Sequence, residues 1–237
     1  MEMSTTSQYK KIGILGGMSA ESTVTYYQYI TRTYTERFKN YAYPEIIIYS
    51  MKFQDYADWP TNGQWDLIIK GLTEASKKLE AAGADFIVIA CNTVHKVFDC
   101  IKDNVRIPML SLTEAVADAI LARHINTVGL LGTKVTMEGG FYEKSLNRKD
   151  VRVIVPDPKD RELINTIIYG ELVNGVVENS SRNEFLRVIG KLSDQGAEGV
   201  ILGCTELGLL INETHCHLPL FDSTLIHAEA TLQYAIS

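Results

Sequence analysis

Cys91 and Cys204 are the residues whose setting in this chain points to chemistry. Residues 83–93 read Gly-Ala-Asp-Phe-Ile-Val-Ile-Ala-Cys-Asn-Thr, and residues 196–206 read Gly-Ala-Glu-Gly-Val-Ile-Leu-Gly-Cys-Thr-Glu. Both stretches run glycine, alanine, acid and apolar tract, with cysteine at the same offset from the glycine. A short apolar run bounded by punctuation signals a strand buried on both faces, as in a parallel sheet under helices. Ligands of open α/β sheets bind at the carboxyl ends of the strands, which is where both thiols then stand.

Two facing thiols admit four uses: a disulfide, part of a metal site, a redox couple or an acid–base pair. Metal ligation calls for more Cys or His than the flanks provide. His215-Cys216-His217 alternates ligand types but lacks further spaced partners, so no metal site is expected there. A redox couple is normally close in sequence or beside a resolving partner. Acid–base work explains mirror placement: a thiolate removes a proton from one face of a carbon and a thiol returns one to the other, inverting a stereocentre. An amino-acid α-proton is far less acidic than a thiol, so the carbanion needs preorganised donors. Backbone N–H groups at helix starts, with Asn92, Thr93 and Thr205, are the candidates. The sequence carries no flavin, nicotinamide or pyridoxal phosphate signature, so a cofactor-independent reaction is expected.

The elements that must position these thiols are legible in order. Residues 11–15 read as a buried strand, and Gly16-Gly17-Met18-Ser19 as the turn into a helix over 20–39 capped by Ser19. A second strand spans 44–49, followed by an irregular loop over 50–62 in which Ser50, Met51 and Lys52 are expected to line a site at the strand's exit. Apolar residues at helical spacing mark 64–82, which leads to the first cysteine strand. A helix over 94–102, a strand over 107–111 and a helix over 113–123 complete the half. His95 reads as a structural histidine, and Cys100 as packing.

Then the pattern restarts. Residues 127–133 match the opening strand and its glycine turn, so Thr136 and Met137, in the turn over 133–142, are expected to border the same cleft as Met18. Helices follow over 160–174 and 182–195, and Leu218-Pro219-Leu220-Phe221 matches Ile107-Pro108-Met109-Leu110. The reading is a duplicated α/β fold with halves 1–125 and 126–237, a cleft between them, and a last helix over 224–236 that packs back on the first half.

Composition sets limits. Of 237 residues, 46% are hydrophobic and 22% charged, as in ordinary soluble globular proteins. A formal charge of −6 with no basic stripe argues against nucleic acid. No run reaches the roughly 18 apolar residues of a membrane span, and residues 1–11 lack an apolar signal core, so a cytoplasmic protein is expected. Four cysteines without a C-x-x-C pair are expected to be free thiols.

The residues Gly16-Gly17-Met18-Ser19-Ala20-Glu21-Ser22-Thr23, Ala90-Cys91-Asn92-Thr93-Val94-His95, Leu131-Gly132-Thr133 with Thr136-Met137, and Leu202-Gly203-Cys204-Thr205-Glu206-Leu207-Gly208 resemble the aspartate/glutamate racemase family, over nearly the whole chain. The resemblance implies two similar domains with parallel four-stranded sheets, pyridoxal-independent two-base racemisation and a homodimer. It makes Cys91 and Cys204 the alternating base and acid, and gives Asn92, Thr93 and Thr205 the substrate carboxylate. The chain departs from the glutamate racemases of cell-wall synthesis, which have Asp-Ser at Met18-Ser19 and histidine at Glu206. It is more similar to the aspartate or broader-specificity branch, and its two cysteines imply reversible turnover. Aspartate is therefore the expected substrate, with glutamate, broad-specificity, hydantoin racemase and maleate isomerase activities as alternatives and a non-catalytic binding protein as a further one. Familiar aspartate racemases grip the side-chain carboxylate with an Arg after the second strand and a Lys in the second domain. Here Lys52 is the only cation in that loop, and residues 168–172 contain no Lys.

Overall fold

The computed structural model describes residues 9–237; residues 1–8, the start of the polar segment and of the first half, lie outside the described residues. The first half runs β1 (Ile12–Gly16), α1 (Ala20–Phe38), β2 (Ile46–Ser50), α2 (Phe53–Thr61), α3 (Trp65–Ala81) and β3 (Phe86–Ile89). A 3-10 turn (Thr93–Val97) then leads into α4 (Phe98–Lys102), β4 (Met109–Leu110) and α5 (Leu112–Leu121). The second half runs β5 (Thr127–Gly132), α6 (Lys134–Glu138), α7 (Phe141–Asn147), β6 (Arg152–Ile154) and α8 (Pro158–Gly170). A 3-10 turn (Leu172–Asn174), α9 (Asn179–Asp194), β7 (Gly199–Gly203), α10 (Leu207–Leu210), β8 (Leu220–Asp222) and α11 (Ser223–Ile236) complete it.

Each half contains a four-stranded sheet, ordered β2-β1-β3-β4 and β6-β5-β7-β8, and all pairs are parallel. The buried tracts explain this: Phe86–Ile89 is buried throughout, so β3 needs cover on both faces, which parallel crossovers supply. Strand alternation divides that cover. Ile87 and Ile89 pack with Ile68, Leu72 and Ile101 beneath α3, whereas Phe86 and Val88 pack with Tyr26 and Ile30 of α1.

That second layer is completed by the far end of the chain. Ala228, Leu232 and Ala235 of α11 lie in the same cluster, and burying a leucine such as Leu232 stabilises by about 1.5–3 kcal/mol. The Lys10 N–H donates to the Ala235 carbonyl at 2.9 Å, and Arg37 pairs with Glu229 at 2.8 Å. The last helix thus ties the second half to the first and fixes the relation between the two sets of strand ends.

Two local expectations change, and one strand goes unread in the sequence. The segment read as an irregular loop over 50–62 contains α2. Only Tyr56 of that helix is buried, leaving too sparse an apolar period to read, and Pro60 has no N–H to give the Tyr56 carbonyl, so the helix ends one residue later. The turn over 133–142 contains α6, capped by the Thr133 hydroxyl, which accepts the Thr136 N–H at 3.2 Å. The edge strand β6, with three residues, is too short to show a period.

Candidate active site

The two glycine turns bring the strand ends together. Gly17 has φ of +79°, and a Cβ there would collide with the Met51 backbone, so the exit of β1 lies directly against that of β2. The Thr23 hydroxyl accepts the Gly17 N–H at 2.8 Å and donates to the Ser19 carbonyl at 3.0 Å, locking the turn. Ser19 caps α1, accepting the Ser22 N–H at 3.3 Å.

Cys91 follows β3 and Cys204 follows β7, at corresponding positions of the two sheets. Both are free, partly exposed thiols, and both line one cavity between the halves. Burial pushes the Cys91 thiol up to about 11, against the pull of the Val94 and Thr93 N–H groups, which favour the thiolate. Burial also raises Cys204 well above the usual thiol range, and here the adjacent carboxylate of Glu206 adds to the effect. Cys204 Sγ donates to Glu206 Oε2 at 3.0 Å, and the Thr205 hydroxyl donates to the same oxygen at 2.7 Å. The other oxygen, Oε1, accepts from the Ser19 hydroxyl at 3.0 Å. The buried Glu206 therefore joins the second cysteine to the first half.

Asn92 lines the cavity, yet both ends of its amide are engaged. The Tyr142 hydroxyl donates to Asn92 Oδ1 at 2.6 Å, Asn92 Nδ2 donates to Ser223 Oγ at 3.0 Å, and Ser223 donates to the Leu202 carbonyl at 2.7 Å. The residue after one thiol is thereby wired to the strand that carries the other. His95 is structural. Its Nε2 accepts the Leu112 N–H at 3.2 Å, which places the proton on Nδ1 to donate to the Cys91 carbonyl at 2.7 Å. Burial holds His95 down at about 4, so it is neutral.

Thr93 and Thr205 also line the cavity, as does Met18. Thr93 meets Thr133 of the opposite half at 3.3 Å between hydroxyls. Ser50, Lys52 and Thr136 are not among the lining residues. Ser50 is exposed at the end of β2. Lys52 pairs with Asp55 at 2.9 Å with 75% of its side chain exposed. Thr136 is fully buried, its hydroxyl bonded to Thr133 at 3.0 Å, and Met137 lies in the core of the second half.

Part of the lining comes from residues that the sequence did not single out. Phe53, Tyr56 and Ala57 of α2, Ile168 and Tyr169 at the end of α8, and Val173 of the following 3-10 turn all line the cavity. The first three fall at i, i+3 and i+4, a shared face that becomes readable only once the segment is known to be helical. Burial, followed by the thiols and Glu206, pushes the Tyr169 hydroxyl up to about 12. No Lys, Arg or His lines the cavity among the described residues, and Glu206 is its one carboxylate. Nor do three His, Cys, Asp or Glu side chains gather as a metal-holding group among the described residues; His215 Nδ1 instead accepts the Asn212 N–H at 3.2 Å. No helix among those residues is long and apolar enough to cross a membrane.

The family model for Asp/Glu/hydantoin racemases matches residues 15–231. A broad-specificity amino-acid racemase, RacX of Bacillus subtilis (strain 168), is 28% identical over 225 residues, covering 93% of this chain and 96% of the relative. A crystal structure of a Yersinia pestis protein provisionally named an Asp/Glu racemase superposes with a TM-score of 0.90 at 41% identity, covering 96% of this chain and 100% of the other. An aspartate racemase homologue from Pyrococcus horikoshii OT3 gives 0.84 at 42% identity, with the same coverage.

Proposed function

Because the chain belongs to the Asp/Glu/hydantoin racemase family, we propose that it is a cofactor-independent amino-acid racemase in which Cys91 and Cys204 act on opposite faces of one Cα. The observation that carries this reading is the pair of free thiols, at equivalent strand ends of two like halves, opening into one cavity.

In one direction the Cys91 thiolate, supported by the Thr93 and Val94 N–H groups, takes the Cα proton, and the Cys204 thiol delivers its own to the other face. The enzyme is left with a Cys91 thiol and a Cys204 thiolate. In the reverse direction the roles exchange: the Cys204 thiolate takes the Cα proton and the Cys91 thiol delivers its own, with Glu206 held beside Cys204. A thiolate of raised pKa is the stronger base, and the ammonium of a bound amino acid favours its formation. The Thr93 and Thr133 hydroxyls, one from each half, are the donors best placed for the substrate α-carboxylate as charge builds there. A single such donor is worth about 3–4 kcal/mol in comparable sites. Asn92, with its amide engaged on both sides, positions the Cys91 loop.

Aspartate was expected from the resemblance, but a dicarboxylate would find no cation on the wall. The division into halves 1–125 and 126–237, the homodimer and the cytoplasmic location travel with this reading as proposals; sedimentation tests the dimer. The reaction itself is tested by incubating the protein with a panel of L-amino acids in deuterated water without added cofactor. Inversion with deuterium at Cα is the expected result. Absence of both exchange and inversion across the panel overturns the reading.

A further inference from the structure

The lining of the cavity carries an inference about the substrate's side chain. Resting on the racemase reading above, we propose that the site takes amino acids with an uncharged, apolar side chain in preference to dicarboxylic or cationic ones.

The thiols and Glu206 line the cavity, and Cα must lie between the two thiols for proton transfer. Besides the thiols, Glu206 and uncharged Ser, Thr and Asn side chains, the lining is apolar or aromatic: Met18, Phe53, Tyr56, Ala57, Ile168, Val173 and Tyr169. Tyr56 does not make this wall polar: a Cβ at Gly71 of α3 would abut its hydroxyl, so the OH is directed at that helix and the ring is left for the cavity. A side-chain carboxylate placed here would lose its hydration without gaining a counter-ion, a cost that paired or cationic sites avoid. It would also share the cavity with the like charge of Glu206. Lys52, at the start of α2, is held outside by Asp55. A side-chain ammonium fares little better, because Glu206, the one carboxylate of the lining, lies beside Cys204 and already accepts from Ser19, Thr205 and Cys204. An apolar side chain is desolvated at no such cost and displaces water from aromatic and aliphatic surface.

Two measurements test this. In α-deuterium exchange, leucine and methionine should exceed aspartate, glutamate and lysine in kcat/KM by about tenfold or more, the scale on which apolar pockets discriminate. A charged substrate that is processed fastest overturns the proposal while leaving the racemase reading intact. Calorimetric binding gives a readout independent of turnover: leucine binding more tightly than aspartate supports the apolar wall even where no exchange is seen, in which case only the racemase reading falls. Ala57→Lys supplies the missing cation and should raise kcat/KM for aspartate relative to leucine. An unchanged ratio in a variant with native circular dichroism overturns the placement of the side chain against α2.

Discussion

The Ser19 hydroxyl donates to Glu206 across 3.0 Å from the opposite half, so the carboxylate that accepts the Cys204 thiol is held from both sides of the cleft. A group in that position sets when Cys204 can lose its proton.

Glu206→Gln removes a charge that raises Cys204 while keeping the size of the side chain. The Cys204 thiol should become more acidic, so kcat/KM in the direction that begins with the Cys204 thiolate should gain its alkaline rise at lower pH. At the same time kcat in that direction should fall, because a thiolate of lower pKa is the weaker base. Alkylation of Cys204 by iodoacetamide near neutral pH should quicken, with the exposed Cys100 as the internal reference. A carboxylate that merely braces the fold would lower all rates and leave the pH profile where it is.

Cys91→Ser and Cys204→Ser separate the two faces. Each should cut racemisation by roughly 10²- to 10⁴-fold. The remaining thiol can still remove and return a proton on its own face, so each variant should exchange the α-proton of one enantiomer without inverting it, and the two variants should choose opposite enantiomers. NMR of each enantiomer in deuterated water reads this directly. Equal loss of exchange for both enantiomers in both variants would sink the two-face assignment.

Asn92→Ala should cost stability before it costs chemistry. The substitution strips the acceptor from the buried Tyr142 hydroxyl and the donor from Ser223, although Ser223 keeps its bond to the Leu202 carbonyl. Each orphaned buried group costs about 1–3 kcal/mol, so a loss of about 2–4 kcal/mol is expected in urea unfolding. Asn92→Asp should be worse, since it buries a carboxylate facing an oxygen that it cannot donate to when ionised. If instead Asn92→Ala keeps full stability and loses substrate affinity, the residue belongs to the binding site and not to the frame.

What the sequence disclosed and what it hid follow from the range of the signals. Buried strands such as Phe86–Ile89 write themselves as uninterrupted apolar runs, and a repeated run with a repeated cysteine exposes the duplication and both thiols. Ser19 reads as a helix cap because capping is local. Thr136 fails as a lining residue because equivalence to the first glycine turn fixes its backbone position, not the direction of its side chain, which turns into the Thr133 cap. The lining contributed by Phe53, Tyr56 and Ala57 is hidden for a different reason: its helix has one buried residue, so no period announces it. Glu206 stands out in the sequence only as a departure from a resembling family; its tie to Ser19 is a long-range contact that no local pattern encodes.

Acid should weaken the fold through two buried histidines. His95 and His227 lie with ring centroids 6.1 Å apart, and His227 Nδ1 is 2.7 Å from the Tyr26 hydroxyl. Burial holds them down at about 4 and about 3. In the unfolded chain both titrate near 6.5, so above that pH neither state carries the extra protons and the stability is fully present. As pH falls below about 6.5 the unfolded chain takes up protons that the folded one refuses, and stability is lost until the pH passes the folded values. The slope from the pair is at most about 2.7 kcal/mol per pH unit, at about 1.36 for each proton. The urea midpoint should therefore drop steeply between pH 7 and pH 5, before most carboxylates begin to titrate. His227→Gln should lower stability at pH 7, where the Tyr26 contact is weakened, yet roughly halve the slope between those two pH values. An unchanged slope in that variant would remove His227 from the account and leave the acid sensitivity to other groups.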